Sequence, residues 1–305
     1  MADLHGAKIL MTGTTGQVGF PLAATLARDN EVWAAARFSD PTAKERHEQA
    51  GIRTVTVDLA ADDLGVLPND FDYVLNFAVA HGGLEDFDRD LALNAEASGL
   101  LMAHTRAAKA FLHCSSTAVY APAGHDAIKE TDPLGDNHRV ILPTYSLCKI
   151  AGEAVVRTAA RQLGLPTTIA RLNVPYGDNG GWPAFHLEML LANQPVPVHT
   201  DAPSLYNPIH DDDIAAMLPA LLDAAGVPAT IVNWGGNDPV SIEEWCAYLG
   251  ELTGLDGATV ETDQTLESVT IDTTRMQELV GTTTVDWRDG FRRMVEARHP
   301  ELLKS

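Results

Sequence analysis

The sequence predicts an α/β protein built on a doubly wound parallel sheet, with a smaller, discontinuous C-terminal lobe. Three observations carry this prediction. Short apolar runs alternate with segments of helical period over residues 1–172. Three evenly spaced glycines join the first of these runs to the helix-like segment that follows it. After residue 171 the composition shifts towards Pro, Gly and Asn. Regular alternation of strands and helices is typical of a parallel sheet covered on both faces.

Composition limits the class of protein. The chain has 305 residues, of which 45% are hydrophobic, enough to bury one large core. Its net charge of −21 argues against nucleic acid or an anionic membrane as a partner, because both bind through Lys and Arg. The three cysteines Cys114, Cys148 and Cys246 have no paired spacing, which favours a reducing, cytoplasmic location. We expect no signal peptide and no membrane span.

Residues 7–20 (AKILMTGTTGQVGF) are the stretch around which the rest is organised. An apolar run at 9–11 predicts a buried strand, and a helix is predicted over 18–28. Between them Gly13, Gly16 and Gly19 would permit a tight turn, close approach of phosphates and close packing of helix on strand. A strand, a glycine turn and a helix N-terminus together bind pyrophosphate, so we predict nucleotide binding and a Rossmann-like fold.

The second predicted strand, 31–37, indicates which nucleotide is bound. An acidic residue at its end would select NAD through the ribose 2′-hydroxyl, but this strand ends in Arg37, followed by Ser39. Arg37 can stack on adenine and pair with a 2′-phosphate, and Ser39 adds a donor. NADP(H) is therefore favoured as the cofactor, with NAD(H) as the alternative. The alternative without a binding role is that Arg37 is a solvated surface residue.

The later elements continue the same alternation. The strand predicted at 54–59 carries Asp58 at its end, and this carboxylate could accept a hydrogen bond from the adenine amino group. Ala78 and Ala80 are small, so they leave room for a cofactor beside the backbone. We assign residues 1–172 and about 207–233 to the nucleotide-binding domain, and about 173–206 and 234–305 to the smaller lobe. The remaining predicted elements are strands at 71–80, 110–116, 166–172 and 229–233 and helices at 91–108 and 147–163.

A candidate catalytic pair lies at the start of the last of these helices. Tyr145 and Lys149 are four residues apart, hence on one helical face, where the ammonium would stabilise a phenolate. Ser116 ends the strand at 110–116, and active sites of such sheets form at the carboxyl ends of strands. The alternatives are a turn cap for Ser116 and a surface pair for Tyr145 and Lys149.

In these motifs the chain resembles the extended short-chain dehydrogenases/reductases, the NAD(P)-dependent epimerase/dehydratase family, along nearly its whole length. The resemblance covers the glycine motif at 12–19, the pair Asp58-Leu59, the strand end 114–120 (CSSTAVY), and the later segments 171–177, 210–215 and 233–236. It implies that Ser116 and Tyr145 bond the reacting oxygen, that Lys149 holds the nicotinamide ribose, and that Asn94 supports the active-site water and helix. A homodimer is also implied.

We therefore expect Ser116, Tyr145, Lys149 and Asn94 to be catalytic. Substrate contacts are expected from His81, Ser116, Thr117, Asn173, Trp182 and Tyr206, and the loop 121–144 with His138 and Arg139 is a further candidate. The three aspartates at 211–213 are expected to cap a helix rather than bind metal. The expected cofactor-binding residues are Gly13, Thr15, Gly16, Gln17, Val18, Gly19, Arg37, Ser39, Asp58, Leu59, Phe77, Ala78, Ala80, Asn94, Tyr145 and Lys149.

Two departures from the family pattern narrow the reaction. Thr117 and Ala118 stand where sugar-nucleotide dehydratases carry acidic residues, and Tyr206 stands where sugar-nucleotide enzymes carry a diphosphate-binding arginine. We therefore expect hydride transfer between nicotinamide and a carbonyl or secondary alcohol in a small-molecule substrate. A sugar or nucleotide-sugar epimerase with the same residues is the alternative. A non-catalytic NADP-binding sensor is disfavoured because Ser116, Tyr145 and Lys149 are all present.

Overall fold

The computed structural model describes residues 2, 4–60, 64–80 and 86–303. The strands are β1 (Lys8–Thr12), β2 (Glu31–Ala36), β3 (Arg53–Thr56), β4 (Tyr73–Asn76), β5 (Ala110–Ser116), β6 (Thr167–Leu172), β7 (Pro175–Gly177), β8 (Gly180–Gly181), β9 (Val196–His199), β10 (Leu205–Tyr206), β11 (Ile209–His210), β12 (Thr230–Trp234), β13 (Val240–Ser241) and β14 (Thr259–Thr262). The α-helices are α1 (Gly19–Leu26), α2 (Pro41–Gln49), α3 (Phe87–Leu91), α4 (Ala97–His104), α5 (Tyr145–Leu163), α6 (Trp182–Leu191), α7 (Asp211–Asp223), α8 (Ile242–Thr253), α9 (Thr274–Leu279) and α10 (Trp287–Arg298).

A central sheet of seven strands organises the molecule, in the order β12-β6-β5-β4-β1-β2-β3. Every neighbouring pair in it is parallel. The strand order reverses between β1 and β4, since β1 pairs with β2 on one side and β4 on the other. This topology confirms the predicted doubly wound α/β class.

Both faces of this sheet are buried. Alternate residues of β1 point to opposite faces, so Ile9 and Met11 belong to one apolar cluster with α1 and α7, and Leu10 belongs to another with α4 and α5. All three side chains are fully buried. The unbroken apolar run at 9–11, rather than an alternating pattern, reflects this two-sided cover.

Several elements differ in extent from those predicted. The strands predicted over 54–59 and 71–80 are shorter in the structure, at Arg53–Thr56 and Tyr73–Asn76. The helix predicted over 91–108 runs instead from Phe87 to His104 and contains a π-helical turn, Ala92–Glu96. The helix predicted over 147–163 begins two residues earlier, at Tyr145.

A third apolar cluster lies outside the sheet and joins α6, α8 and α10 with residues of β7, β9, β10 and β13. The segment 173–206, predicted to be loops and short helices, contains the ten-residue helix α6 and four short strands. β12 lies beside β6 in the central sheet. The division of the chain into domains stays a prediction.

Among the described residues, no helix combines the length and apolar character that crossing a membrane requires. Within the same ranges, no group of three or more His, Cys, Asp or Glu is placed to hold a metal ion. The aspartates at 211–213 form the first turn of α7, and the imidazole of His210 accepts from the backbone N–H of Asp212 at 3.0 Å as its N-cap.

Candidate active site

The glycine turn lies at the carboxyl edge of the sheet, beside the point where the strand order reverses. Gly13 has a φ of +69°, and a Cβ there would stand 2.3 Å from the carbonyl of Phe77. A Cβ on Gly19 would stand 2.2 Å from the carbonyl oxygen of Gly13. Glycine is therefore required at both positions, which bring the N-terminus of α1 against the ends of β1 and β4. Such a helix N-terminus is suited to a pyrophosphate.

A cleft of about 440 Å³ opens over this turn and reaches the predicted catalytic residues. Its wall joins the glycine turn to four later segments of the chain, at 77–79, 114–116, 145–149 and 172–175. Five of its members are not among the predicted site residues, namely Val79, Cys114, Ser115, Leu172 and Pro175. The lining is Gly13, Thr15, Gly16, Gln17, Val18, Gly19, Phe77, Val79, Cys114, Ser115, Ser116, Tyr145, Lys149, Leu172 and Pro175.

A narrower recess of about 100 Å³ continues from Gly13 and Thr15 towards the end of β2. Five of the residues predicted on the adenine side line it, Arg37, Asp58, Leu59, Ala78 and Ala80, and their contact with a cofactor stays a prediction. The exposed Ser39 is not among its lining residues.

The carboxylate of Asp58, one wall of this recess, already has partners in the protein. One oxygen accepts from the backbone N–H of Ala60 at 3.1 Å, and the other lies 3.5 Å from Arg89. Its remaining acceptor capacity is what an adenine amino group would meet.

The cleft over the glycine turn, the cofactor-side cleft, meets a second cleft. Ser116 and Tyr145 line both clefts. The hydroxyl of Ser116 accepts from the N–H of Ala118 at 3.1 Å, so the capping role is present. A hydroxyl that accepts one bond retains its own proton to donate. Capping and substrate contact are therefore compatible for Ser116.

Lys149 is buried and its ammonium donates to the carbonyl of Cys114 at 2.9 Å, which leaves further donors on the same nitrogen. The nitrogen lies 5.9 Å from the centre of the Tyr145 ring. Just before Tyr145, the hydroxyl of Thr144 donates to the carboxylate of Asp90 at 2.7 Å. This buried bond fixes the start of α5 and, with it, the position of the phenol.

Asn94 lies in the π-helical turn and does not line the clefts. Its side-chain oxygen accepts from the N–H of Ala80 at 3.0 Å, and its amide donates to the carbonyl of Ala80 at 3.1 Å and that of Asp90 at 2.9 Å. Asn94 therefore holds the chain after β4 in place beside the cofactor-side cleft.

A buried polar network beneath the site was not predicted. Asn76 accepts from the hydroxyl of Thr12 at 2.6 Å and its amide lies 3.2 Å from Nδ1 of His113. Burial, with a smaller effect of the Lys149 charge, lowers the pKa of His113 to about 3. The imidazole is thus neutral, so Nδ1 can accept from Asn76. His113 occupies an ordinary inward position of β5, and no sequence signal distinguishes it from an apolar core residue.

The second cleft, of about 390 Å³, is lined by five of the predicted substrate residues, Ser116, Thr117, Asn173, Trp182 and Tyr206. His138, from the candidate loop, lines it as well, whereas Arg139 is not among its lining residues. The predicted residue His81 lies outside the described residues. Sequence reasoning did not single out Ile141, Leu142, Val174, Leu266 and Val269, which complete the wall.

Comparison with known proteins agrees with this architecture. The sequence model of the NAD dependent epimerase/dehydratase family matches residues 9–235. None of the curated proteins compared with the chain matches it.

Solved structures share the fold at low sequence identity. A UDP-glucuronic acid 4-epimerase from Bacillus cereus, solved with UDP-glucuronic acid and NAD, is 19% identical with a TM-score of 0.81, over 95% of this chain and 98% of that one. MoeE5, solved with UDP-glucose and NAD, is 24% identical with a TM-score of 0.81, over 97% and 99%. A UDP-glucose 4-epimerase from Thermotoga maritima is 19% identical with a TM-score of 0.81, over 96% and 99%.

The family match spans most of the chain and confirms the resemblance inferred from the motifs. The chain therefore belongs to the NAD dependent epimerase/dehydratase family and is a nicotinamide-dependent enzyme of the extended short-chain dehydrogenase/reductase type.

Proposed function

We propose that the protein transfers hydride between a nicotinamide dinucleotide and a carbonyl or secondary alcohol group of a small substrate. One observation carries the proposal: the cleft over the glycine turn is also lined by Ser116, Tyr145 and Lys149. A dinucleotide laid on the turn would bring its nicotinamide end to these three side chains.

The protein's own groups supply the proton chemistry. Tyr145 takes the proton of a substrate hydroxyl, or returns it to a ketone, and Ser116 donates to the same oxygen and holds it in place. Lys149, anchored to the carbonyl of Cys114, stabilises the phenolate and bonds the ribose hydroxyls. When bound, the nicotinamide supplies or accepts the hydride, chemistry that no side chain provides.

The glycine turn meets the requirements of a dinucleotide. Gly13 and Gly19 allow the close packing of strand, turn and helix, and three glycines, Gly13, Gly16 and Gly19, line the cleft without side chains. The side-chain nitrogen of Gln17, which lines both clefts, is buried and has no hydrogen-bond partner among the described residues. A buried donor without a partner is costly, and a ligand acceptor at this junction would satisfy it.

A nicotinamide-dependent sugar or nucleotide-sugar epimerase is the second candidate. The family match favours it, as do the sugar-nucleotide epimerases among the proteins that share the fold. The same three side chains would serve, because an epimerase removes and then returns hydride at one carbon. A sensor without catalysis is the third and weakest candidate.

The test is Tyr145→Phe. The matched control is Tyr248→Phe, on α8, which packs against the apolar cluster outside the central sheet. We expect at least a hundredfold loss of NAD(P)H-dependent carbonyl reduction in Tyr145→Phe, with dinucleotide affinity retained, and no loss in the control. Interconversion of UDP-glucose and UDP-galactose without net change in NADH would establish the epimerase instead. Tight dinucleotide binding with no turnover of any carbonyl compound, alcohol or UDP-sugar would contradict both enzymatic candidates.

A further inference from the structure

Polar and apolar side chains are segregated along the second cleft. Five residues line both clefts and mark their junction, Gln17, Ser116, Tyr145, Leu172 and Pro175, and the first three supply its polar groups. Most of the residues that line only the second cleft are apolar or aromatic. These are Ile141, Leu142, Val174, Trp182, Tyr206, Leu266 and Val269, with Thr117, His138 and Asn173 as the polar members.

Two of the polar groups in this outer part are engaged by the protein itself. The hydroxyl of Tyr206 donates to the carbonyl of Glu267 at 2.7 Å. Asn173 accepts from the N–H groups of Val174 and Asn207 and donates to the carbonyl of Val269 at 2.9 Å. Both side chains therefore brace the backbone around the cleft and offer a ligand mainly their carbon surfaces.

The aromatic side chains form a continuous wall. The rings of Trp182 and Tyr206 meet edge to face with their centres 4.9 Å apart, and Trp245 backs Trp182 at 6.0 Å. This packing fixes the indole of Trp182 before a ligand arrives, so an aromatic or branched aliphatic group can bind without ordering the wall.

Positive charge is lacking in the same place. No Lys or Arg is among the described residues that line the second cleft. Burial raises the pKa of Tyr206, so its phenol is uncharged. A diphosphate placed here would lose its hydration without gaining the charged donors that normally replace it.

We propose that this enzyme's substrate is an uncharged, compact ketone or secondary alcohol whose body is aromatic or branched aliphatic, and not a nucleotide sugar. The proposal rests on the function proposed above and specifies its substrate class. The reacting oxygen lies at the polar junction, and the apolar body lies against Trp182, Leu266 and Val269. The cleft, of about 390 Å³, is at the small end of the range for ligand pockets.

The first experiment measures binding to the unaltered protein without cofactor, by ligand-observed NMR. The probes are 1-phenylethanone, acetone and UDP-glucose. We expect 1-phenylethanone to bind at least tenfold more tightly than acetone, and UDP-glucose not to compete with it. Absence of 1-phenylethanone binding at millimolar concentration, or its displacement by UDP-glucose, would overturn the substrate class.

Variants of helix α6 locate the binding. Trp182→Ala should weaken 1-phenylethanone binding tenfold or more, whereas Phe185→Ala, an exposed aromatic on the same helix, should leave it unchanged. Because Trp182 also packs on Trp245, Trp182→Leu provides a milder truncation if the alanine variant misfolds. Equal weakening by the substitutions at Trp182 and at Phe185 would contradict the proposed position of the ligand.

The two proposals fail in different ways. If 1-phenylethanone binds in a Trp182-dependent manner but no ketone is reduced and Tyr145→Phe changes nothing, hydride transfer by Tyr145 is wrong while the apolar cleft stands. If UDP-glucose is converted and its binding does not depend on Trp182, the substrate class is wrong while nicotinamide-dependent chemistry stands.

Discussion

Arg171 and Glu153 form a two-point ion pair inside the protein. The guanidinium of Arg171, on β6, donates to the two carboxylate oxygens of Glu153, on α5, at 2.9 and 2.7 Å, and both side chains are 2% exposed. Ser115 donates to the same carboxylate at 2.7 Å, and the guanidinium also bonds the carbonyl of Glu130. The pair thus joins the helix of Tyr145 to the strand end beside Ser116.

Breaking this pair from one side should destabilise the fold strongly. Burial by itself lowers the pKa of Arg171, but its bonds and charge interaction with Glu153 outweigh burial and raise the pKa. Arg171→Met would leave a buried carboxylate without its cation, and we expect a loss of about 3–5 kcal/mol in the free energy of unfolding, measured by urea denaturation.

The double variant Arg171→Met with Glu153→Met is the control. It removes both charges, so it should lose less stability than the sum of the two single variants. Strict additivity would mean that the two side chains do not interact energetically.

Asp211 makes stability depend on pH. Burial, followed by the charges of Asp178 and Asp212, raises the pKa of Asp211 from 3.8 to about 8. Its Oδ1 is buried and has no hydrogen-bond partner in the described part of the chain. A carboxyl whose pKa is raised by folding binds more protons in the folded state than in the unfolded state. The folded protein therefore loses this stability as pH rises from about 4 to about 8.

Asp211→Asn should remove this dependence. The melting temperature of the variant should rise relative to the unaltered protein as pH increases from 5 to 8.5, by the equivalent of at least about 1 kcal/mol. Asp223→Asn, an exposed position at the other end of α7, should show no such trend. Parallel melting curves for the unaltered protein and Asp211→Asn across this range would rule out a buried, protonated Asp211.

Arg37 should set the choice between NADP(H) and NAD(H). It lines the adenine-side recess directly after β2, at the position where an acidic residue would select NAD through the ribose 2′-hydroxyl. Arg37→Ala should weaken NADPH binding at least tenfold and leave NADH binding unchanged, as measured by calorimetric titration.

Arg53→Ala, on the neighbouring strand β3 but at its opposite end, is the control and should change neither affinity. Tighter binding of NADH than of NADPH by the unaltered protein, or NAD that co-purifies with it, would instead establish the NAD alternative.

The local pattern of the sequence determined the sheet and its nucleotide turn. A short apolar run such as 9–11, followed by glycine, favours a strand buried on both faces, and the structure confirms the burial. Gly13 and Gly19 occupy positions that tolerate no side chain. Tyr145 and Lys149 share a helical face because helical periodicity requires it. The helical face and the glycine spacing depend on residues close together in the chain, so they can be inferred without the fold, whereas the crowding at Gly13 comes from the backbone of Phe77.

Only the tertiary structure decided what surrounds the reacting groups. Leu266 and Val269 reach the second cleft from more than 100 residues beyond Tyr145, and nothing in their local sequence indicates this. The structure likewise turned Asn173 and the hydroxyl of Tyr206 towards backbone partners and placed His113 beneath the site. Whether a polar side chain faces a ligand depends on which distant donors and acceptors folding brings beside it. Sequence spacing does not carry that information.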